Sequence, residues 1–250
     1  ALGRRSLPAR ESIFRISPSG LCLGPWFLGS RRGLGAFSLD AERKMGFYEK
    51  FLFPLGMDWI MGGENFREER ERALASASGE VLELGFGTGL NLPHYPEAVE
   101  ALFMVEPKAK LTRRVERRIA AVDIPVSRHA LGAEKLPFES DRFECVVSTW
   151  TLCTISDLAG ALGETARVLK PGGKFIFLEH GRSDDERTAR WQDQLNPLQR
   201  AFGCGCNMNR RIDEFILEAG FEILNLDRFL MPRTPRLQGE MYRGVARAAR

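Results

Sequence analysis

The sequence predicts an α/β fold, a parallel sheet covered by helices on both faces. Two observations carry that expectation. From Met45 onward, short apolar runs alternate with segments of helical period. The first such run also empties into a glycine loop, Gly85-Phe86-Gly87-Thr88-Gly89. With 250 residues and 44% hydrophobic side chains, the chain can build one large domain around a sizeable core. That composition excludes wholesale disorder, collagen and coiled coil. Five cysteines are too few for a disulfide scaffold, and the odd count favours a reducing compartment such as the cytoplasm.

The net charge of +3 is unevenly spread. Residues 1–44 hold eight basic and three acidic side chains, a balance of +5; the other 206 hold 28 and 30, or −2. This leader is rich in Arg, Ser, Gly and Pro without an apolar period, so it is expected to be disordered. Two readings of it stay open: an organellar transit peptide, or an over-extended start with Met45 opening the functional chain. No stretch approaches the ~20 apolar residues a membrane-spanning helix needs. A weakly acidic body gives no electrostatic case for nucleic acid as a partner.

The elements follow in order. Val81–Leu84, Ala101–Glu106, Val126–Leu131 and Phe143–Ser148 read as the first four strands. Between the second and third lies a helix, Lys108–Val122, with Leu111, Val115, Ile119 and Val122 on one stripe. Its Arg113, Arg114, Arg117 and Arg118 are expected to form a solvated face. A helix from Ser156 to Leu169 should stop at Pro171-Gly172-Gly173, before a fifth strand at Lys174–Glu179. A long polar and aromatic insertion spans Arg182–Met208, and long insertions here are usually functional. Asn209–Ala219 is an amphipathic helix with Gly220 at its end. Phe221–Phe229 and Met241–Ala246 complete the sheet.

The glycine loop carries most of the chemistry. Glycines let backbone approach a ligand and adopt positive φ, and open α/β sheets bind ligands at the carboxyl ends of their strands. A dinucleotide fingerprint would need a third glycine at position 90, where Leu90 stands. The pattern is instead G-x-G-x-G behind an acidic residue, Glu83. Glu106, ending the second strand, is placed to accept two ribose hydroxyls of a nucleoside cofactor. A nicotinamide-dependent oxidoreductase on the same sheet is the alternative, against which Leu90 argues.

Taken as an ordered set, several blocks resemble the class I S-adenosylmethionine-dependent methyltransferases of the type 11 or ubiquinone/menaquinone group. They are Val81–Gly89, Val105-Glu106-Pro107, Ala133–Phe138, Phe143–Thr149, Arg167–Gly173 and Ala219-Gly220-Phe221. Asn91–Pro96, Thr151–Thr154, Leu178–Gly181, Trp191-Gln192 and Cys206–Arg210 resemble a branch related to phosphatidylethanolamine N-methyltransferases and thiol S-methyltransferases. The resemblance implies a Rossmann-like seven-stranded sheet, mostly parallel with an antiparallel C-terminal strand. It divides the chain into a leader, 1–44, a helical lid segment, 45–79, and a methyltransferase domain, 80–250. It implies S-adenosyl-L-methionine as cofactor and a small-molecule or lipid-like acceptor methylated on a thiol, amine or hydroxyl. A non-catalytic partner retaining the fold is a further alternative.

Roles follow from the resemblance. Gly85, Gly87 and Gly89 would lie under the cofactor, Glu83 would brace their loop, and Glu106 would hold the ribose. Ala133 and Glu134 would flank the adenine, although Gly132 stands where many relatives carry an acidic residue. Thr149 and Trp150 would line the methyl-transfer zone.

His180, just past strand five, is the candidate general base, with loop ordering as its other reading. His94 is expected to pack behind the glycine loop, and His129 to be structural. Cys153, Trp191, Asn207 and Arg210, with Gln192, Asn196 and Asn209, are candidates for acceptor recognition. Cys145 is expected in the core. Cys204-Gly205-Cys206 falls short of a zinc ligand set, so no metal is expected, and the pair reads as a small-residue loop. The aromatic segment Phe47–Ile60 reads as a lid, or as a surface making peripheral membrane contact with lipidic acceptors.

Overall fold

The computed structural model describes residues 53–107 and 113–249. The leader, the aromatic residues before Phe53, and Leu111 of the predicted helical stripe lie outside the described residues. Among the described residues two helices precede the sheet, α1 (Phe53–Met61) and α2 (Glu64–Leu74), joined by Gly62-Gly63. The strands are β1 (Gly79–Leu84), β2 (Val99–Val105), β3 (Val126–His129), β4 (Phe143–Thr149), β5 (Leu169–His180), β6 (Phe221–Leu230) and β7 (Glu240–Ala248). Helices α3 (Arg113–Ile119), α4 (Leu158–Val168), α5 (Glu186–Phe202), α6 (Ile212–Glu218) and the short α7 (Arg236–Gly239) connect them.

Strand order is β3-β2-β1-β4-β5-β7-β6, with β7 antiparallel to both neighbours and the other pairs parallel. The expected seven-stranded, mostly parallel sheet is therefore present. Order reverses at β1, with β2 on one side and β4 on the other, so a crevice opens at the ends of these strands.

Apolar residues on both faces explain why the strands read as continuous runs rather than alternations. Val81, Met104, Cys145, Val147 and Ile176 face one core with Leu74, Leu92 and Val115. Leu82, Leu84, Val146, Phe175 and Phe177 face the other with Leu162 and Ile216. Each fully buried side chain of this size contributes on the order of 2 kcal/mol. On α4, a Cβ built at Gly163 would meet nothing within 4 Å. Gly163→Ala is accordingly expected to raise stability by roughly 0.5–1 kcal/mol, read by urea unfolding.

Several boundaries depart from expectation. Helix α4 stops at Val168, and β5 begins at Leu169, before Pro171. Pro171 cannot donate to the ladder and Gly172 takes φ +79, so the strand bulges there and resumes at Lys174, paired with Cys145. The insertion is also largely helical: α5 runs 17 residues, started by Asp185, which accepts from the Thr188 backbone N–H at 3.0 Å. It buries only Thr188, Ala189 and Gln192, too thin and polar a stripe to show as a period. Strand β3 ends at His129, before Leu131, and α6 is shorter than the predicted Asn209–Ala219.

Candidate functional site

The loop after β1 holds three glycines at positive φ: Gly85 (+68), Gly87 (+52) and Gly89 (+78). Their reasons differ. A Cβ on Gly85 would run into the Thr151 side chain at 2.4 Å, and one on Gly89 into Leu92 at 2.9 Å. At Gly87 nothing lies within 4 Å. Packing demands the outer two glycines, whereas the middle one borders open space at the crevice. Glu106 follows directly on β2, whose Val105 carbonyl accepts from Gly85 N–H at 2.8 Å, so acid and loop are neighbours. Gly132 lies under the carboxylate of Glu134, which a Cβ there would meet at 2.2 Å. The side chain of Glu134 thus folds back over the backbone where an acidic residue was missed, while Ala133 beside it is buried.

Beneath the loop is a buried polar network. Glu83 accepts from Asn91 at 2.8 Å and from the Tyr95 hydroxyl at 2.9 Å. Asn91 also donates to Thr149 Oγ1 at 2.9 Å and accepts from Arg70 Nε at 3.1 Å. Burial pushes the Glu83 carboxyl up to about 7, against the two hydrogen bonds and the Arg70 charge. Arg70, itself buried, donates to the Met61 carbonyl at 2.7 Å and stacks over the Trp150 ring at 4.7 Å. Trp150 sits at φ +49, a conformation that costs about 1–2 kcal/mol, and Phe66 also packs on it. The network thus locks loop, strand β4 and helix α2 together.

Outside the loop, Asp58 of α1 accepts from Thr88, Arg114 and Arg118, each at 2.6 Å. This corrects the expectation for the arginine run: two of its four members, Arg114 and Arg118, clasp α1 onto the glycine loop, although Arg114 stays half exposed. His94 packs as expected, 3.2 Å from Glu71, and His129 packs against Phe103 and Phe138.

A second cluster gathers at the ends of β4 and β5. His180 Nε2 lies 3.1 Å from Cys206 Sγ, and Cys153, whose thiol donates to the Trp150 carbonyl at 3.8 Å, brings its own sulfur beside the same atom. Ligand atoms of these three residues lie within 4.8 Å of one another. The Cys153 hydrogen bond and the His180 imidazole, against burial, take the Cys206 thiol down to about 4. Burial disfavours charge on His180, yet Cys206 and Glu179 outweigh it and raise its pKa. The two form a thiolate–imidazolium pair. Arg210 adds a second cation beside both sulfurs and donates to the Leu152 carbonyl. Glu179, fully buried, accepts from Ser148 at 2.8 Å and from Thr151 N–H at 3.0 Å.

The other acceptor candidates are not all brought in. Trp191 is 50% exposed on α5. Asn207 and Asn196 bond to each other and to the loop backbone, and Gln192 ties Ser183, Gly181 and Leu237 together. Asn209 donates to Asp193 at the surface. Cys204 stands outside the cluster, and Cys145 is buried in the core as expected. Arg70, Tyr95, Asp58 and Glu179 were not foreseen. Only Glu179 had a local signal, its position in a strand beside His180. Next to Cys206, a shallow apolar groove is lined by Leu195, Leu198, Gln199, Phe202, Met208 and Leu237.

Comparison with known proteins adds the following. Residues 82–177 match the family described as methyltransferase domain. Thiol S-methyltransferase TMT1A from Homo sapiens is 29% identical over 178 residues, covering 68% of this chain and 70% of that protein. Thiol S-methyltransferase TMT1B from Rattus norvegicus is 30% identical over 165 residues, 62% of this chain and 65% of that one. Phosphatidylethanolamine N-methyltransferase from Cereibacter sphaeroides is 25% identical over 142 residues, 56% and 70% of the two. Among solved structures, the methyltransferase bound to the Trm112 activator from Haloferax volcanii superposes with a TM-score of 0.62 at 17% identity, over 83% of this chain and 98% of that one. At that identity the superposition speaks for the fold.

Proposed function

The chain belongs to the S-adenosylmethionine-dependent methyltransferases, and from that premise we propose that it methylates the sulfur of a small or lipid-like thiol. The match speaks against the nicotinamide-dependent alternative and for S-adenosyl-L-methionine as the cofactor. The glycine loop fits that cofactor: Gly87 borders space that a side chain would fill, and a carboxylate stands at the end of β2.

When bound, the cofactor supplies an electrophilic methyl group. The chain's own residues have the remaining tasks. Backbone of Gly85, Gly87 and Gly89 cradles the ligand over a floor braced by Glu83. Glu106 would accept the ribose hydroxyls, and Ala133 and Glu134 would flank the adenine. Thr149 and Trp150, both fixed by the network from α2, line the transfer zone. Such alignment is worth on the order of 7–11 kcal/mol in a displacement reaction. Helix α1, clasped by Asp58, covers the loop as a lid. Its outward Leu55, Trp59 and Ile60 are exposed and suit peripheral contact with a lipid surface. Among the described residues no helix is long and apolar enough to cross a membrane.

The observation that carries the thiol reading is the Cys206–His180 pair with Arg210 at the ends of β4 and β5. The imidazole of His180 and the guanidinium of Arg210 stand beside the Cys206 sulfur, and the buried Glu179 carboxyl acts on both. A thiol held beside these two cations ionises more readily, its proton passing to solvent. His180 is therefore read as the cation that steadies the nucleophile, its Nε2 being occupied by Cys206 rather than vacant as a general base. Radiolabelled methyl transfer tests the reading: an alkyl thiol should be labelled at least tenfold faster than phosphatidylethanolamine, and equal or reversed rates would refute it.

The clasp makes its own prediction. Burial opposes ionisation of Asp58, but Arg118, Thr88 and Arg114 outweigh it and hold the carboxyl below its ordinary 3.8. Its contribution is therefore present above that pH and lost as pH falls below it. Because Arg114 is half exposed, Asp58→Asn is expected to cost only about 1–2 kcal/mol at pH 7. Urea unfolding at pH 7 and pH 3 should show the difference shrinking at the lower pH, and trypsin should cut α1 faster in the variant.

A further inference from the structure

Resting on the thiol reading of the acceptor, we propose that Cys153, His180 and Cys206 form a three-ligand zinc site whose fourth position takes the acceptor sulfur. The geometry is that of a catalytic rather than a structural centre. Two sulfurs and one imidazole nitrogen lie within 4.8 Å of one another, carried by three separate elements: the turn after β4, the last residue of β5 and the loop after α5. Tetrahedral zinc bonds sulfur at about 2.3 Å and nitrogen at about 2.0–2.1 Å. Three ligand atoms within 4.8 Å of one another can close on one such ion by side-chain rotation.

The surroundings fit an ion as well. Cys153 is 2% exposed and His180 8% exposed, so the ligands are shielded from water. His180 turns Nε2 toward Cys206 Sγ at 3.1 Å, on the side where the ion would be held, while Nδ1 is buried without a partner. Backbone holds the ligand loops rigidly: Asn207 N–H donates to the Cys153 carbonyl at 2.9 Å, tying the two cysteine loops to each other. Soft thiolate and imidazole donors select a d10 ion such as zinc over magnesium or calcium. Among the described residues no fourth Cys, His, Asp or Glu joins the group, which is how catalytic zinc sites leave a place for substrate.

The step balances simply. Zinc displaces two protons, that of the Cys153 thiol and that on His180 Nε2, and both pass to solvent. The acceptor R–SH binds at the open position, forming a Zn–S bond and releasing its proton to solvent, so that the thiolate is generated without a protein base. Transfer of the methyl group to that sulfur breaks the S–CH3 bond of the cofactor's sulfonium, leaves neutral S-adenosylhomocysteine, and gives a thioether, a weak ligand that dissociates. No electrons are gained or lost.

The test uses the full chain, kept reduced, with Zn2+ and with Co2+ as its spectroscopic stand-in. One equivalent of Co2+ should give a thiolate-to-cobalt charge-transfer band. That band should fall to about half in Cys153→Ser and in Cys206→Ser, and stay unchanged in Cys204→Ser. Adding a small alkyl thiol should shift the visible cobalt bands, marking occupation of the fourth position. Because the serine variants could fold poorly, alkylation of the wild-type chain followed by mass spectrometry provides a second readout. Zn2+ should slow labelling of Cys153 and Cys206 at least tenfold, and that of Cys204 not at all. No band, or a band that depends on Cys204, overturns the site. Equal labelling with and without Zn2+ does the same. Thiol methylation by a chain that binds no metal sinks this inference and leaves the function standing; metal binding without a thiol-induced shift sinks the assignment of the fourth position.

Discussion

Gly87→Ala is expected to leave the protein folded and to raise the dissociation constant for S-adenosylhomocysteine at least 100-fold. The reasoning separates two demands on one residue. In the protein itself a Cβ at Gly87 touches nothing within 4 Å, so packing tolerates alanine. The cost is backbone strain at φ +52, about 1–2 kcal/mol. Space beside Gly87 is where the cofactor must approach the backbone, and a methyl group there removes that approach. A 100-fold loss is about 2.8 kcal/mol of binding, more than strain alone accounts for. Calorimetry with S-adenosylhomocysteine, paired with a thermal melt, reads both halves. Gly85→Ala makes the contrast, since its Cβ strikes Thr151 and should damage the fold itself. Wild-type affinity in a folded Gly87→Ala would mean the ligand does not pass over this loop.

Arg70→Met is expected to destabilise by about 2–3 kcal/mol at pH 8, because it strips two charge-assisted hydrogen bonds from buried partners and removes the cation acting on Glu83. Its guanidinium is the only cation among the forces acting on the Glu83 carboxyl, and it also braces Asn91, the Met61 carbonyl and Trp150. The pH dependence follows from sign. Burial raises the Glu83 pKa from 4.5 to about 7. The native state therefore holds a proton that the unfolded chain has lost, and stability declines as pH rises from 4.5 through 7. Without Arg70 the native pKa climbs further, and the decline continues to higher pH. Urea unfolding should show a clearly smaller deficit at pH 5.5, where Glu83 is protonated in both proteins. A deficit independent of pH would mean that lost packing, not charge, explains the effect. Adding Glu83→Gln should remove most of the pH dependence from both backgrounds.

These two residues mark the limit of what sequence reading reached. Gly87 was legible because an apolar run ending in G-x-G-x-G has few structural solutions, and the strand order followed from similar runs. Arg70 was not. It lies in Arg67–Arg72, a run of charge that reads as a solvated helix face, and only the packing of α2 across β5 and the glycine loop buries it. Helix α5 was missed for a related reason: it buries a narrow polar stripe, and Gln192 spends its hydrogen bonds on backbone. The cysteine–histidine cluster was hidden by distance along the chain. Cys153 and His180 become neighbours because β4 pairs with β5, and Cys206 arrives from the far end of α5. In the sequence Cys206 stands two residues from Cys204, whereas the fold brings it beside Cys153.

The most direct measurement is product analysis by mass spectrometry after incubating the full chain with deuterium-labelled S-adenosylmethionine and an equimolar mixture of an alkyl thiol, an amino-lipid and a quinol. The account predicts a labelled S-methyl thioether as the dominant product, reduced at least tenfold in His180→Ala and at least 100-fold in Gly87→Ala. A labelled amine or ether as the main product, or a thioether formed equally well without His180, would contradict it.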